Sequence, residues 1–468
     1  MDFDALFAKR ITHIKPGLER MQKSFDVLGK PGSQIPSVLI GGTNGKGSTS
    51  GFLWSLLSCS LGRVGLYSSP HLMEFSERYQ ITGVPLSDQD VYEAWKQLKS
   101  QCPEPLFADL SFFELATLIA FHLFDQHQAQ FQVLEVGLGG RWDACNVADP
   151  MVSVLVSVSR DHQEFLGTEL PNILSEKLGI MRPGRPLFWG AGGEITALPE
   201  HRDWIYQAAA AQNCPVFEAG KHFGINAESL HIDLPHCSPL TLPSNARLRA
   251  MAPYLQANFA LAAAVYHYVA ESSDQLNLLP LKHLWDHWAE QSTEAPVTLL
   301  GRNQRIFAPL VKGGQALCLD VCHNPDGVRR FIEAWVAETS GWRVPALVSV
   351  LRDKDFDVIL DELKAHLGPI VLYQVASERT WSREQLAARH QDLPFYASLE
   401  EAWQALREKA EPGPWVICGS VFAIGQVLRF LGLSLKEMHV ARVLDGDWTF
   451  AALARTLGLR SGAAPSKS

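Results

Sequence analysis

Nearly unbroken apolar runs alternate with longer mixed segments in the first third of the chain. Residues 36–42, 131–137 and 151–158 form such runs, which are typical of strands covered on both faces. Residues 46–61 and 111–126 have the length and composition of helices. Strands that alternate with helices predict a parallel α/β sheet.

The pattern changes in the middle of the chain. Residues 214–250 mix short polar and apolar stretches and are interrupted by prolines, which predicts a strand-rich excursion or long loops. A helix is expected again at 254–270, and a domain boundary around 291–300.

The alternation of strands and helices restarts after that boundary. Strands are predicted at 315–321, 345–351, 370–375 and 414–419. Helices are predicted at 326–338, 355–366, 383–390, 399–409 and 420–431. This half therefore reads as a second, smaller, doubly wound α/β domain.

Composition narrows the class of protein. The 468 residues, 47% of them hydrophobic, suffice for two or three domains. The net charge of −9 lacks the basic surplus of a nucleic-acid binder. No run approaches the ~20 apolar residues of a membrane span, and the charged N-terminus is not a secretory signal. A soluble, cytoplasmic protein is expected. The eight cysteines form no C-x-x-C pair, so reduced core thiols are expected.

The sharpest local signal is the glycine-rich segment GTNGKGST at 42–49, between a buried strand and a helix start. Glycines let backbone N–H groups approach phosphate oxygens, and a helix N-terminus adds partial positive charge. Lys46 would bridge those oxygens, and Ser48 or Thr49 could reach Mg²⁺. The spacing departs from G-x-x-x-x-G-K-[ST], because Gly47 separates Lys46 from Ser48. An ordinary glycine turn is the alternative, which the flanking elements disfavour.

Polar residues follow three apolar stretches at their carboxyl ends. Glu135 ends the second long run, Asp161 and His162 follow the third, and Ser69 follows the short stretch VGLY. Carboxyl ends of parallel strands share one edge of a sheet, so these side chains suit a divalent cation bridging phosphates. A histidine ligand would also admit Mn²⁺. Taken alone, His162 is better explained by a helix cap or a core position; together with Glu135 and the glycine-rich segment, a metal-binding role is favoured. Nothing in the sequence around Lys177 distinguishes it from an ordinary helical lysine.

Further motifs are spread along the whole chain. In chain order they are PGLERM at 16–21, GTNGKGST at 42–49, SSPHL at 68–72, ERY at 77–79, SFFE at 111–114, EVGLGGRWDACN at 135–146, DH at 161–162, FLGT at 165–168, EKLGI at 176–180, QANFALA at 256–262, GRNQ at 301–304, DVCHNP at 320–325, RDKD at 352–355 and CGSVFAIG at 418–425. Together they resemble the folylpolyglutamate synthase and dihydrofolate synthase family of the Mur ligase superfamily.

The resemblance implies a P-loop-type, mostly parallel sheet domain over residues 1–295. It also implies a smaller Rossmann-like glutamate-ligase domain over 296–432, followed by an extension at 433–468. The implied activity is an ATP-dependent ligation in which a carboxylate is phosphorylated and L-glutamate attacks the acyl phosphate. Dihydropteroate, tetrahydrofolate or both would be acceptors. The implied cofactors are ATP and Mg²⁺, with up to two ions and a carbamylated Lys177. A monomer that binds small molecules, and neither nucleic acid nor membrane, is expected.

The resemblance also implies roles for individual residues. ATP would be held by Thr43, Asn44, Gly45, Lys46, Gly47, Ser48, Asn258, Arg302 and Asp320. The metal would be held by Ser48, Ser69, Glu135, His162 and Lys177. The catalytic residues would be Lys46, Glu135, His162, Lys177 and His323. The acceptor would contact His13, Ile14, Lys15, Pro16, Ser111, Phe112, Phe113, Glu114, Trp142, Asp143 and Ala144.

The chain departs from the family on the acceptor side, where Trp142 replaces a leucine and Cys145 a threonine. The SFFE and DVCHNP segments favour the bifunctional type, and a monofunctional folylpolyglutamate synthase is the first alternative. A Mur ligase acting on a UDP-sugar peptide is the second, which the PGLERM and EVGLGGR segments oppose. A nucleotide-dependent switch without ligase activity is the third, and the presence of Glu135, His162 and Lys177 disfavours it.

Overall fold

The computed structural model describes residues 17–84, 86–290, 300–306, 316–339, 341–375, 377, 379–387, 389–409 and 413–433. The chain divides into two units. The first contains the chain up to Ala246 and again from Leu255, and the second contains Arg247–Tyr254 and the chain from residue 300 onward. Of the predicted boundary segment at 291–300, residues 291–299 lie outside the described residues, as do residues 434–468 of the predicted extension at 433–468.

A seven-stranded sheet forms the centre of the first unit. Its strands are β1 (Ser37–Gly41), β2 (Val64–Tyr67), β3 (Tyr79–Ile81), β4 (Phe131–Glu135), β5 (Val152–Ser157), β6 (Leu187–Gly192) and β7 (Val216–Glu218). The order is β3-β2-β4-β1-β5-β6-β7, and only β3 runs antiparallel to its neighbour. Every residue of β1, β4 and β5 is buried, as the continuous apolar runs predict. The predicted parallel α/β sheet is confirmed.

Helices connect and accompany these strands, although residues 247–249 and 253–254, in the ninth and tenth helices, belong to the second unit. They are α1 (Glu19–Val27), α2 (Lys46–Ser58), α3 (Asp88–Gln101), α4 (Glu104–Asp109), α5 (Phe112–Gln126), α6 (Gln163–Leu166), α7 (Leu170–Leu178), α8 (Pro199–Ala210), α9 (Ala246–Arg249), α10 (Pro253–Ser272) and α11 (Leu281–Glu290). Short 3₁₀ turns occur at Phe75–Arg78, Ala144–Val147, Glu194–Ala197 and Asp274–Leu276. The predicted strand-rich excursion is an antiparallel sheet of β8 (Phe223–Ile225), β9 (Ser229–Ile232) and β10 (Leu240–Pro243).

The second unit repeats the architecture on a smaller scale. Its strands are β11 (Gln304–Ile306), β12 (Leu317–Asp320), β13 (Ala346–Val348), β14 (Ile370–Tyr373), β15 (Phe395–Tyr396) and β16 (Trp415–Cys418), in the order β11-β12-β16-β13-β14-β15. Only β11 is antiparallel to its neighbour. Its helices are α12 (Pro325–Thr339), α13 (Phe356–His366), α14 (Arg383–Ala387), α15 (Leu399–Lys409) and α16 (Val421–Phe430). The predicted strands and helices of this half are confirmed, with ends shifted by a few residues.

The strand order of the first sheet determines where a ligand can bind. β1 is central, the chain returns through β4 on one side of it, and then crosses to β5 on the other. Loops that leave a parallel sheet in opposite directions open a crevice at the carboxyl ends of the strands. The polar residues that follow β1, β4 and β5 therefore share this edge. None of the helices in the described part of the chain combines the length and apolar character needed to span a bilayer.

Candidate active site

The glycine-rich loop joins β1 to α2 in a conformation that needs glycine. Gly42 and Gly45 have φ angles of +144° and +87°, where side chains are rarely tolerated. A Cβ at Gly42 would lie 3.0 Å from the backbone nitrogen of Ser157, and one at Gly45 would lie 2.8 Å from Asn258 Oδ1. Because Gly45 is the N-cap of α2, the first backbone N–H groups of that helix lie at the loop.

The loop is anchored to the strand beside it. Thr43 N–H donates to Ser157 O at 2.8 Å, and Asn44 N–H donates to Ser157 Oγ at 2.9 Å. The Thr43 hydroxyl donates to Ser159 O and accepts from Ser159 N–H, both at 3.0 Å. The Thr43 side chain is thus engaged in fixing the loop. Ser157 and Ser159 are site residues that the sequence did not single out, because their role depends on β1 and β5 being neighbours.

Two lysines converge on one carbonyl oxygen of this loop. Lys46 Nζ donates to Gly42 O at 3.0 Å and to Thr43 O at 3.1 Å. Lys177 Nζ, from the last turn of α7, also donates to Gly42 O at 3.0 Å. Lys177 is only 4% exposed. Burial, and after it the positive charge of Lys46, together lower its pKa to about 7, against the opposing effects of Asp161 and Asp143.

Close backbone packing holds Lys177 in place. A Cβ at Gly140 would lie 2.7 Å from Glu176 O and 2.8 Å from Lys177 O. A Cβ at Gly179 would lie 2.4 Å from the Arg141 Cβ. Arg141 N–H donates to Glu176 O at 2.8 Å, which ties the loop after β4 to the end of α7. The two glycines therefore allow the loop after β4 and the end of α7 to pack closely, which directs Lys177 towards the glycine-rich loop.

The structure also brings Ser69 and Glu135 together. Ser69 N–H donates to Glu135 Oε2 at 3.2 Å, and Glu135 is 2% exposed. Glu135 pairs in register with Ile40, two residues before Gly42, so its carboxylate lies at the same edge as the loop. Ser48, in the first turn of α2, is likewise buried. These residues offer the hard oxygen donors that Mg²⁺ prefers.

His162 has an unusual backbone conformation at the same edge. Its φ is +51°, its N–H donates to Asp161 Oδ1 at 2.8 Å, and it precedes α6. A non-glycine residue in the left-handed region is often found at a functional site. Over the ranges that the structure describes, no group of three or more His, Cys, Asp or Glu side chains could hold a metal ion.

Several predicted acceptor residues shape the site through local hydrogen bonds. Ser111 and Glu114 form a reciprocal capping box at the start of α5, a pattern already visible in the sequence as S-x-x-E. The buried Asp143 carboxylate accepts three backbone N–H groups, those of Gly137, Leu138 and Cys145. Burial nevertheless raises the pKa of Asp143 above its usual value.

The remaining predicted acceptor residues differ in exposure. Trp142 is 49% exposed, whereas Ala144 is buried. Phe113 packs so closely on Gly137 that a Cβ there would lie 2.4 Å from its ring, and Phe112 is partly buried. The predicted contacts at His13, Ile14, Lys15 and Pro16 lie outside the described residues.

The second unit has a polar cluster at the end of β12. Asp320 is buried, and its carboxylate accepts from Tyr254 OH at 2.9 Å, Asn303 N–H at 2.8 Å and Cys322 N–H at 2.8 Å. Burial raises the pKa of Asp320. His323 Nδ1 lies 2.8 Å from Val321 O. Tyr254 is a further residue that the sequence did not single out.

The partly buried Arg302 follows Gly301 in the same segment, and its Nη1 lies 3.4 Å from Leu300 O. Gly301 and Asn303 both have positive φ angles, +65° and +46°. The segment is therefore sharply bent around Arg302, and Asp320 fixes the bend through Asn303 N–H.

Comparison with known proteins gives similarities that extend over most of the chain. No protein-family model matches the sequence. The dihydrofolate synthase/folylpolyglutamate synthase of Buchnera aphidicola subsp. Baizongia pistaciae is 30% identical over 376 residues, covering 78% of this chain and 77% of that protein. A crystal structure of a bifunctional folylpolyglutamate synthase/dihydrofolate synthase with Mn, AMPPNP and L-glutamate bound has a TM-score of 0.73 and 29% identity, and covers 92% of this chain and 97% of that one. Escherichia coli FolC in complex with DHPP and ADP has a TM-score of 0.75 and 27% identity, with the same coverage of both chains, 92% and 97%.

Proposed function

The chain belongs to the dihydrofolate synthase/folylpolyglutamate synthase family, and we propose that the polar edge of its first sheet is where the ligation is carried out. The protein is an ATP-dependent ligase of folate metabolism that joins L-glutamate to a folate-type carboxylic acid and uses a divalent metal ion. We propose that it is bifunctional, accepting both dihydropteroate and tetrahydrofolate, and that it acts as a monomer in the cytoplasm.

The observation that carries the assignment of the site is the convergence of Lys46 and Lys177 on Gly42 O. Two protonated amino groups that share one oxygen repel each other, and the charge of Lys46 helps to lower the pKa of Lys177 although Asp161 and Asp143 oppose it. A site of this kind favours added negative charge, which a nucleotide triphosphate would supply. The backbone N–H groups at the start of α2 lie at the same loop and suit the same oxygens.

The chemistry explains why such a site is needed. An amine cannot displace oxide from a carboxylate, so one carboxylate oxygen first takes the γ-phosphoryl group of ATP, releasing ADP. The neutral amine of glutamate then adds to the carbonyl carbon. Phosphate leaves with the oxygen that it acquired, and the amine loses a proton. Lys46 and the loop would position the phosphoryl group and balance its charge, which is most of what phosphoryl transfer requires of a protein.

The residues at this edge fit a divalent cation. Glu135 offers a buried carboxylate beside Ser69, Ser48 offers a hydroxyl at the helix start, and His162 offers an imidazole at the next strand end. When bound, the ion would neutralise charge on the phosphate oxygens and on the oxygen that becomes anionic during amine addition. We propose that these four residues hold it, and that Asn258, Arg302, Asp320 and His323 contact the nucleotide.

Lys177 is proposed to carry a carbamate. With a pKa of about 7, about half of its amino groups are neutral at pH 7, compared with about one in 3,000 for a lysine at 10.5. The neutral amine adds to the carbon of CO₂ and releases one proton, which gives an N-carboxylate. The new negative charge would lie beside Lys46 and would provide oxygen ligands for a second metal ion.

The function is tested by phosphate release from ATP with Mg²⁺ and glutamate, supplying dihydropteroate or tetrahydrofolate separately. Release with both acceptors is expected; release with tetrahydrofolate alone would make the protein a monofunctional folylpolyglutamate synthase. Lys46→Ala should reduce turnover at least a thousandfold, since it removes the loop cation. Lys23→Ala, an exposed lysine on α1, is the matched control and should retain full turnover. Wild-type turnover in the Lys46 variant would contradict the assignment of the loop.

The carbamate is tested separately, by ¹³C NMR of protein equilibrated with ¹³CO₂. A carbamate resonance is expected that is absent from Lys177→Ala. Formate or acetate should restore part of the activity of that variant, because a free carboxylate can occupy the vacated space. Full activity of Lys177→Ala without added carboxylate would refute the carbamate.

A further inference from the structure

One buried cation near this edge has no part in the chemistry described so far. Arg78 ends the 3₁₀ turn that leads into β3, in the ERY segment. Its carbonyl oxygen accepts from Ser68 N–H at 3.0 Å, and Tyr79 pairs with Tyr67 of β2. Arg78 is therefore held opposite Ser68, the residue before Ser69.

The guanidinium packs against two aromatic rings, Phe75 and Phe112, that also contact each other edge to face with their centroids 5.8 Å apart. Its Cζ is 5.4 Å from the centroid of Phe75 and 5.3 Å from that of Phe112. Nε donates to His71 Nδ1 at 2.9 Å. Arg78 as a whole is 6% exposed. The guanidinium is thus held by the adjoining pair of rings and at Nε, and the two terminal nitrogens remain as donors.

Within the part of the chain that the structure describes, no carboxylate forms an ion pair with Arg78. The adjacent Glu77 does not serve, because its carboxylate accepts the backbone N–H groups of Leu72, Met73 and Glu74. Arginine is rarely buried without an anion, since removing its charge from water is costly and aromatic contacts compensate only in part. An oxyanion that accepts hydrogen bonds from the two terminal nitrogens would complete this arrangement.

The surroundings indicate which anion that is. Phe112 is followed by Phe113, whose ring lies on Gly137, two residues after Glu135. On the other side, Ser68 precedes Ser69, whose N–H binds Glu135. Arg78 therefore lies between the segment proposed to bind the acceptor and the residues proposed to hold the metal. The acceptor carboxylate is the group that must lie between those two regions when it is phosphorylated.

We infer that Arg78 binds the carboxylate of the folate-type acceptor, with His71 and the rings of Phe75 and Phe112 as positioning residues. The inference rests on the proposed function and specifies the group that orients its substrate. Two charge-assisted hydrogen bonds to a carboxylate oxygen fix the acid and leave the second oxygen for phosphoryl transfer. Lysine cannot reproduce this, because it offers a point charge instead of a planar fork.

The first test separates the three substrates kinetically. Arg78→Gln should raise the KM for the acceptor about 10- to 100-fold, and Arg78→Lys, which keeps the charge and the apolar stem, about 5- to 20-fold. The KM values for ATP and for glutamate should stay within twofold. Arg182→Lys is the matched control, because the guanidinium of Arg182 donates to the carbonyl oxygens of Ile180, Met181, Asn146 and Ala148. It should lower the melting temperature and leave all three KM values unchanged.

The second test changes the ligand as well as the protein. Binding of dihydropteroate and of its carboxamide is measured without ATP, in the wild type and in both Arg78 variants. The wild type should prefer the acid about tenfold or more, and Arg78→Gln should bind acid and amide equally. A preference for the acid that survives Arg78→Gln overturns the inference, as does a change confined to the glutamate or ATP KM, or to the melting temperature. Absence of acceptor-dependent phosphate release in the wild type would instead refute the proposed function.

Discussion

Replacing Lys177 by methionine should change how the stability of the protein depends on pH. In the folded protein, burial and the nearby Lys46 lower the pKa of Lys177 to about 7, from a usual value of 10.5. Between these values the unfolded chain binds a proton at Lys177 and the folded protein does not. The free energy of unfolding must therefore rise with pH in this window. Burying Lys177 costs no stability above the pKa of the unfolded chain, where the residue is neutral in both states. The cost grows as the pH falls and reaches its maximum once the pH drops below about 7.

The size of the effect follows from the same numbers. Each pH unit between about 7 and 10.5 is worth about 1.4 kcal/mol, because one proton distinguishes the two states. From pH 7.0 to 8.5 the wild type should gain about 2 kcal/mol relative to Lys177→Met, which has an unbranched apolar side chain of similar length. Below pH 7 both states are protonated at this position, and the difference should become constant.

The measurement is denaturant-induced unfolding of the two proteins without nucleotide, in buffers free of CO₂ so that no carbamate forms. The difference between them is the quantity of interest, because other titrating groups contribute equally to both. Lys23→Met removes an exposed lysine and should follow the wild type at every pH. Parallel curves for the wild type and Lys177→Met from pH 7.0 to 8.5 would refute the idea that Lys177 is buried largely as a neutral amine.

Three further predictions concern the same edge of the sheet. Gly140→Ala should destabilise the protein by about 2–4 kcal/mol and lower kcat more than tenfold, because the added Cβ would lie 2.7 Å from Glu176 O. The control in the same melting and turnover assays is Gly413→Ala, whose Cβ would meet nothing within 4 Å. Trp142→Leu should change the acceptor KM at least threefold and the ATP KM less than twofold, and since the side chain is 49% exposed the unfolding free energy should change by less than about 0.5 kcal/mol. Equal changes in the two KM values would contradict an acceptor role for Trp142. Glu135→Gln should raise the Mg²⁺ concentration for half-maximal turnover more than tenfold, and an unchanged Mg²⁺ titration would remove Glu135 from the metal site.

Continuous apolar runs made the central strands predictable from the sequence. β1, β4 and β5 are buried on both faces, so their composition alone distinguishes them from amphipathic elements. The edge strands β3, β11 and β15 were not predicted with their observed bounds, because two or three residues are too few for a pattern of apolar positions to identify a strand. The helix α3 was not singled out either, although Ser87 and Asp90 form a capping box at its start.

The candidate site likewise contains some residues that the sequence makes recognisable and others that only the fold brings together. The glycine-rich loop is contiguous in sequence, so its glycines and Lys46 are visible as a motif. Lys177 is an ordinary helical lysine until the fold brings it to Gly42 O, and Arg78 gains its meaning only from the rings and the histidine around it. The family resemblance assigned a role to Lys177. Arg78 occurs in the ERY motif, but the sequence assigned it no role. Contacts between distant segments depend on strand order, which residue patterns do not encode directly.

The order in which the chain is synthesised has a consequence for the phosphate loop. Gly42 and Lys177, which share a hydrogen bond, are separated by 135 residues, and Thr43 and Ser159 by 116. A ribosome adding about 5–20 residues per second needs roughly 7–27 s to make the 135 residues from Gly42 to Lys177. For most of that interval β1 has no β5 to pack against, so the glycine-rich loop lacks the strand that anchors it, and Lys177 follows last. If the loop binds nucleotide as proposed, we expect a nascent chain to do so only after α7 has left the ribosome, so ATP capture by stalled chains of increasing length would time the docking of α7 against the loop.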